Sequence, residues 1–183
     1  SWYGNVNEEI LSGGNALTHW SNDNQGVAGY VVNIPETAEY NFWLRANPSQ
    51  SAMSYRLDDG EWQKVVFRNA IDRRNMAGDG KSDIRHIAWV QLGKVELKEG
   101  RHTLTFRMES KNHFHGAIDA FVLTTDEAYR PTGTAKPGEE GASPADVAGA
   151  WPFLPENDPF TDEALLDLRY LNEKESGETG FIR

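Results

Sequence analysis

Residues 110–116 place Asn112, His113, Phe114 and His115 in one short polar and aromatic stretch. An asparagine side chain offers a donor and an acceptor in one plane, which suits a pair of adjacent hydroxyl groups. The two imidazoles, at i and i+2, point the same way in an extended segment and so also suit a metal pair, although no third ligand stands nearby at an obvious spacing. The competing reading is a solvated turn. Trp20, followed by Asn22-Asp23-Asn24, is a second aromatic in an amide-rich setting, fit either to wall a cleft or to pack a loop. Arg68, Arg73, Arg74, Arg85 and His86 flank a third polar stretch. They suit a carboxylate or sulfate on a ligand, or pairing with Asp72, Asp79 and Asp83. Inside that stretch, Gly78-Asp79-Gly80-Lys81-Ser82-Asp83 is rich in Asp but lacks the EF-hand spacing. Glu8, Glu9 and Asp119 are the carboxylates best placed to hold a Ca2+ ion, which takes several oxygens. Asp119 interrupts the apolar run 117–123. Turned inward it needs a cation or a hydrogen-bond network, because an unpartnered buried charge is costly; alternating outward it is merely solvated.

The elements that must position these groups read as strands. Residues 94–125 suggest three in succession: Val95 and Leu97 alternate with polar neighbours, a turn follows at Glu99-Gly100, His102, Leu104, Phe106 and Met108 share one face, and 117–123 closes the run. Upstream, 28–34 is a strand ending at Pro35, and 39–46 alternates with Tyr40, Phe42, Leu44 and Ala46 on one face. Residues 53–57 run into Asp58-Asp59-Gly60, a tight-turn signal, and 61–67 returns as the hairpin partner. Residues 1–27 read as loops with one or two short strands, and 69–86 as a long loop. About eight short strands at near-regular spacing predict an all-β antiparallel sandwich. Trp43 falls on the polar face of its strand with Asn41 and Arg45, either as a flat outward platform or covered by the C-terminal part of the chain.

From Arg130 the texture changes. Residues 130–160 are rich in Pro, Gly, Ala and Glu, as linkers are. Thr161 then caps a predicted amphipathic helix with Leu165, Leu168 and Leu171 on one side, and 180–183 reads as the start of a strand. The net charge of −10 is uneven: residues 1–125 hold 15 acidic and 13 basic side chains, and 126–183 hold 13 and 5. Nothing forms a basic stripe, which argues against nucleic acid as a partner. There is no long apolar run to suggest a membrane span and no cysteine to suggest disulfide or thiolate chemistry. The chain does not begin with Met, so the reading is either of a processed secreted protein or of a piece of a longer one.

Over residues 1–125 the chain resembles a carbohydrate-binding module of the galactose-binding-like β-sandwich (jelly-roll) kind, near families 6 and 35. The resemblance rests on the order of Glu8-Glu9, the 32–46 stretch VNIPETAEYNFWLRA, the Asp58-Asp59-Gly60 hairpin, Trp89 ahead of VELKEGRHTL, and the closing Ile118-Asp119-Ala120-Phe121-Val122. The family's usual Glu-x-Glu is here Asn7-Glu8-Glu9. The resemblance implies a structural Ca2+, a stacking aromatic at Trp89, and a ligand-binding asparagine at Asn112 with His113 and His115 beside it. Sugar binding calls for such a set: an aromatic face for the pyranose ring and planar polar groups for its hydroxyls. LDLRYLNE at 166–173 with 177–181 is similar to the entry of the catalytic region in large bacterial polysaccharide-degrading glycoside hydrolases.

The resulting expectation is a β-sandwich over 1–129, a linker over 130–160, and over 161–183 a helix and the start of a following catalytic domain. The function expected is non-catalytic: binding a polysaccharide or oligosaccharide, in a secreted, extracellular or periplasmic setting, through Trp20, Arg85, Trp89, Asn112, His113 and His115. A non-binding scaffold domain is the second reading. An independent hydrolase or lyase is the third. No motif singles out a pair of catalytic carboxylates, and there is no nucleophile elbow, P-loop or HExxH.

Overall fold

A computed structural model describes residues 5–19, 24–47, 52–81, 85–109, 116–137 and 181–182. Its strands are β1 (Leu17–His19), β2 (Gly26–Ile34), β3 (Ala38–Asn47), β4 (Ala52–Leu57), β5 (Gln63–Lys64), β6 (Ile71–Asn75), β7 (His86–Leu97), β8 (Gly100–Glu109), β9 (Gly116–Thr124) and β10 (Phe181–Ile182). They form two antiparallel sheets, one of six strands in the order β10-β1-β9-β3-β7-β6 and one of four in the order β2-β8-β4-β5. This is the predicted β-sandwich. The helix expected from Thr161 lies outside the described residues. The strand expected at the end of the chain is β10, which pairs with β1 at Thr18–Ile182 and His19–Phe181.

The core follows from the period-two pattern. Phe42, Leu44 and Ala46 turn one face of β3 onto Met53 and Tyr55 of β4 and Leu104, Phe106 and Met108 of β8, all buried. Phe42 and Tyr55 meet edge to face at 5.1 Å, and Tyr30 and Phe121 at 5.5 Å. Side-chain alternation was therefore read correctly, whereas succession in sequence does not give strand partners in the 94–125 stretch. β7, β8 and β9 follow one another in sequence yet alternate between the two sheets. The Lys98-Glu99 connection, with Gly100 at φ 126°, carries the chain across the sandwich and does not close a hairpin. The Asp58-Asp59-Gly60 turn does close one, pairing Ser54 with Lys64. β6, inside the stretch read as a long loop, is an edge strand on β7; its sequence IDRRN hides it, because an edge strand with one apolar side chain does not alternate visibly.

The six-stranded sheet is covered on both faces. Its second face carries Trp43, Arg45, Asn47, Ile87 and Trp89, all buried. The N-terminal segment packs Leu11, with Val6 and Ile10, onto Met76 and Ile87. The segment after β9 crosses the same face: Asn41 Nδ2 donates to the carbonyl of Asp126, Lys94 pairs with Glu127 at 2.7 Å, and Trp89 Nε1 donates to the carbonyl of Gly133 at 2.9 Å. Residues 130–137, which read as linker, are thus a packed strap. The outer face of the four-stranded sheet has no such cover among the described residues, and Val27 and Val31 stand 52% and 58% exposed on it.

Candidate functional site

Strand pairing gathers the flanks of the predicted site at one end of the sandwich. His19 lies opposite Gly116, Asn47 opposite Ala117, Ala46 opposite Ala88, and Asn75 opposite His86. In the other sheet Ala52 lies opposite Glu109 and Gly26 opposite Met108. The residues bracketing 20–23, 48–51, 82–84 and 110–115 therefore converge. Trp20, Asn112, His113 and His115 themselves lie outside the described residues.

The strand ends beneath them are polar and buried: His19, Asn47, Arg85 and His86 are all removed from solvent. Burying a hydrogen-bonding side chain is costly unless it is satisfied, so four such groups at one end of a sheet mark a built environment. Burial pushes the His19 imidazole below its usual value, partly offset by a hydrogen bond with the backbone of Asn24. Gln25 Nε2 donates to Glu109 at 2.7 Å and ties the start of β2 to the end of β8.

Two of the residues singled out from sequence have other work. Trp89 is only 1% exposed, its ring covered by the strap and its N–H taken by Gly133, so no face is open for stacking on a sugar. The reason is register: Trp89 sits opposite Arg45 on the covered face of the sheet and not at its loop end. Arg85 is a brace. Its guanidinium donates to the carbonyl of Asn5 at 3.0 Å and to Asp79 at 2.9 Å. The backbone N–H of Lys81, together with the charges of Arg85 and Lys81, holds the Asp79 carboxyl below its usual range. Trp43, for which two readings stood open, is covered: 4% exposed, with the Arg130 guanidinium 5.9 Å from its ring centre.

Asp119 does turn inward, and its counter-ion is Arg45. The two side chains are fully buried and 2.6 Å apart, and Arg45 also donates to the carbonyl of Ile10. The second carboxylate oxygen accepts from the backbone N–H of Ser12 at 2.7 Å. Burial pushes the carboxyl up, and Arg45 and the Ser12 amide draw it back. Glu8 and Glu9 are exposed on a 3-10 turn capped by Asn7. Among the described residues no three His, Asp or Glu side chains come together to hold a metal. The described carboxylates therefore do not fit the structural Ca2+ expected at Glu8, Glu9 and Asp119; a guanidinium already supplies the charge.

One aromatic that sequence reasoning passed over stands on the open face of the four-stranded sheet. Trp62, at the entry to β5, is half-buried, with the guanidinium carbons of Arg56 and Arg107 at 4.8 and 4.3 Å from its ring centre. Strand register sets Gly29, Thr105 and Arg56 in one row and Val27, Arg107, Ser54 and Lys64 in the next. The only signal for this in the sequence is outward alternation in three strands, and it becomes a cluster only once their register is known.

No family model matches the chain, and no curated protein matches it. Among solved structures, a Podospora anserina GH26-CBM35 β-(1,4)-mannanase is similar at 21% identity and a TM-score of 0.39, over 57% of this chain and 20% of that one. TmCBM61 in complex with β-1,4-galactotriose is similar at 15% identity and a TM-score of 0.37, over 61% of this chain and 70% of that one. The chain thus spans a fifth of the length of the mannanase.

Proposed function

We propose that this domain is a non-catalytic carbohydrate-binding module that holds an attached glycoside hydrolase on its polysaccharide, with the sugar taken at the loop end of the sandwich. The observation that carries the reading is the convergence of strand ends bracketing Trp20 and Asn112–His115 above the buried polar set His19, Asn47, Arg85 and His86. Loops set on a rigid sandwich are where such a fold can change its ligand without changing its core. The residue types are those a pyranose requires: an indole to lie against its apolar face and an amide to bridge two hydroxyls. With Trp89 inside the fold, the aromatic wall falls to Trp20 in this reading. Tethering a binding domain to a catalytic one raises the local concentration of substrate, and that is the role inferred here.

Calorimetric titration against a panel of soluble polysaccharides tests this. The intact protein is expected to bind at least one of them, and Asn112→Ala and Trp20→Ala are each expected to weaken binding about tenfold with melting unchanged. Absence of binding across neutral and charged glycans would leave the scaffold reading in its place. Turnover of a polysaccharide by this chain alone would replace both readings with a catalytic one.

A further inference from the structure

We propose that the outer face of the four-stranded sheet is a second binding surface, taking an anionic polysaccharide chain, its carboxylates or sulfates against Arg56, Arg101, Arg107 and Lys64, with Trp62 as the platform that holds two of these guanidinium groups in place. The proposal rests on the carbohydrate-binding reading above but uses different residues. Side chains on this face follow from strict alternation: Val27, Gly29, Val31 and Asn33 from β2, Arg101, Thr103, Thr105 and Arg107 from β8, and Ser54 and Arg56 from β4. It is open, since both valines are more than half exposed and a side chain at Gly29 would meet nothing within 4 Å.

Three features point to a charged glycan. The face gathers three arginines and a lysine on a chain whose net charge is −10. Arg107 lies 3.8 Å from Glu109, a carboxylate already accepting from Gln25. Charge complementarity therefore favours an anion. The guanidinium groups of Arg56 and Arg107 are fixed against the Trp62 ring, which lowers the entropy lost when they fork onto a carboxylate or sulfate. Gly29, between the two exposed valines, leaves a bare floor in the row that runs through Thr105 and Arg56 towards Trp62. A strip left open at Val27, Gly29 and Val31 and running on to the arginines suits an extended chain of rings better than a compact ligand.

The test uses the intact protein and three probes: polygalacturonate for carboxylates, dextran sulfate for sulfates, and neutral dextran as control. Charge reversal at the exposed pair, Lys64→Glu with Arg101→Glu, is expected to weaken binding of one or both polyanions about tenfold, and Trp62→Ala by a similar factor. Whichever polyanion binds tells carboxylate from sulfate recognition. The effect is expected to shrink at high salt, as screened charge pairs do. Unchanged polyanion affinity in both variants, while Asn112→Ala abolishes it, would overturn this inference and leave the loop-end reading standing. Failure of every glycan, charged or neutral, would overturn both. If instead no polyanion perturbs the Trp62 indole resonance but deletion of residues 138–183 does, the face belongs to the chain's own acidic segment and the inference fails.

Discussion

Asp119 is the residue at which reading and structure can be compared most closely. Its isolation in an apolar run marks it from sequence as a charge needing an answer. The answer, Arg45, lies 74 positions away and could not be read, because sequence alone does not say which strands are neighbours. Nε and Nη2 of Arg45 find no acceptor among the described residues, so Asp119 and the Ile10 carbonyl hold a cation that is otherwise poorly satisfied. Removing Asp119 should therefore be severe. Asp119→Ala is expected to lower stability by about 3–5 kcal/mol in urea denaturation, whereas the double variant Arg45→Met, Asp119→Leu should recover most of that, since a buried pair often exchanges for apolar packing at little cost. Because Asp119 already has the Arg45 guanidinium as its counter-ion, EDTA is expected to leave the melting temperature unchanged. A fall of several degrees would show that a cation contributes after all. Trp62 is the opposite case: its partners come from three strands, and nothing in its own neighbourhood announces them.

Two connections show what elements add. The corner between the β4–β5 turn and β8 is held by Asp58, which has a left-handed backbone (φ 48°) and whose carboxylate accepts from the Thr103 amide at 2.8 Å and meets His102 Nδ1 at 2.7 Å. The Thr103 amide and then His102 hold Asp58 below its usual value, while Asp58 and then the Lys98 carbonyl hold His102 above the ordinary 6.5. A raised histidine value means stability that is complete below the unfolded value and lost as pH climbs through the folded one. A depressed aspartate value means stability present above its unfolded value and lost on acidification. The pair should therefore contribute most between about pH 4.5 and 6.5. His102→Asn is expected to lower the melting temperature more near pH 5.5 than at about pH 8.5; equal losses would contradict the assignment.

The strap over 126–137 is the other connection. Its Pro-Gly texture reads as linker, yet Trp43 and Trp89 need it as a lid. Ending the chain after 125 should red-shift tryptophan emission and lower the urea midpoint, whereas ending it after 137, which keeps the strap and removes only β10 among the described elements, should leave the emission of Trp43 and Trp89 unshifted. Strand faces were legible here because alternation is local. Strand neighbours, the edge strand β6 and the strap were not, because each depends on what packs against it.

At the scale of the molecule, one end of a sandwich gathers four connections, one face of a sheet is open and cationic, and the remaining face is sealed by the N-terminal segment and the strap. That distribution explains why the fold was readable while three of the nine residues singled out stand elsewhere: Trp89 and Asp119 belong to the sealed face, and Arg85 to its brace. Carbohydrate binding at the loop end is the claim on which the functional account turns. The most direct measurement is to titrate the isotope-labelled protein with an oligosaccharide from the polysaccharide it binds, following amide and imidazole resonances. Shifts are predicted to centre on His19, Asn47, His86 and Gly116 and on the 20–23 and 110–115 segments between them. Saturating shifts confined to other surfaces, or no response to any glycan, would contradict it.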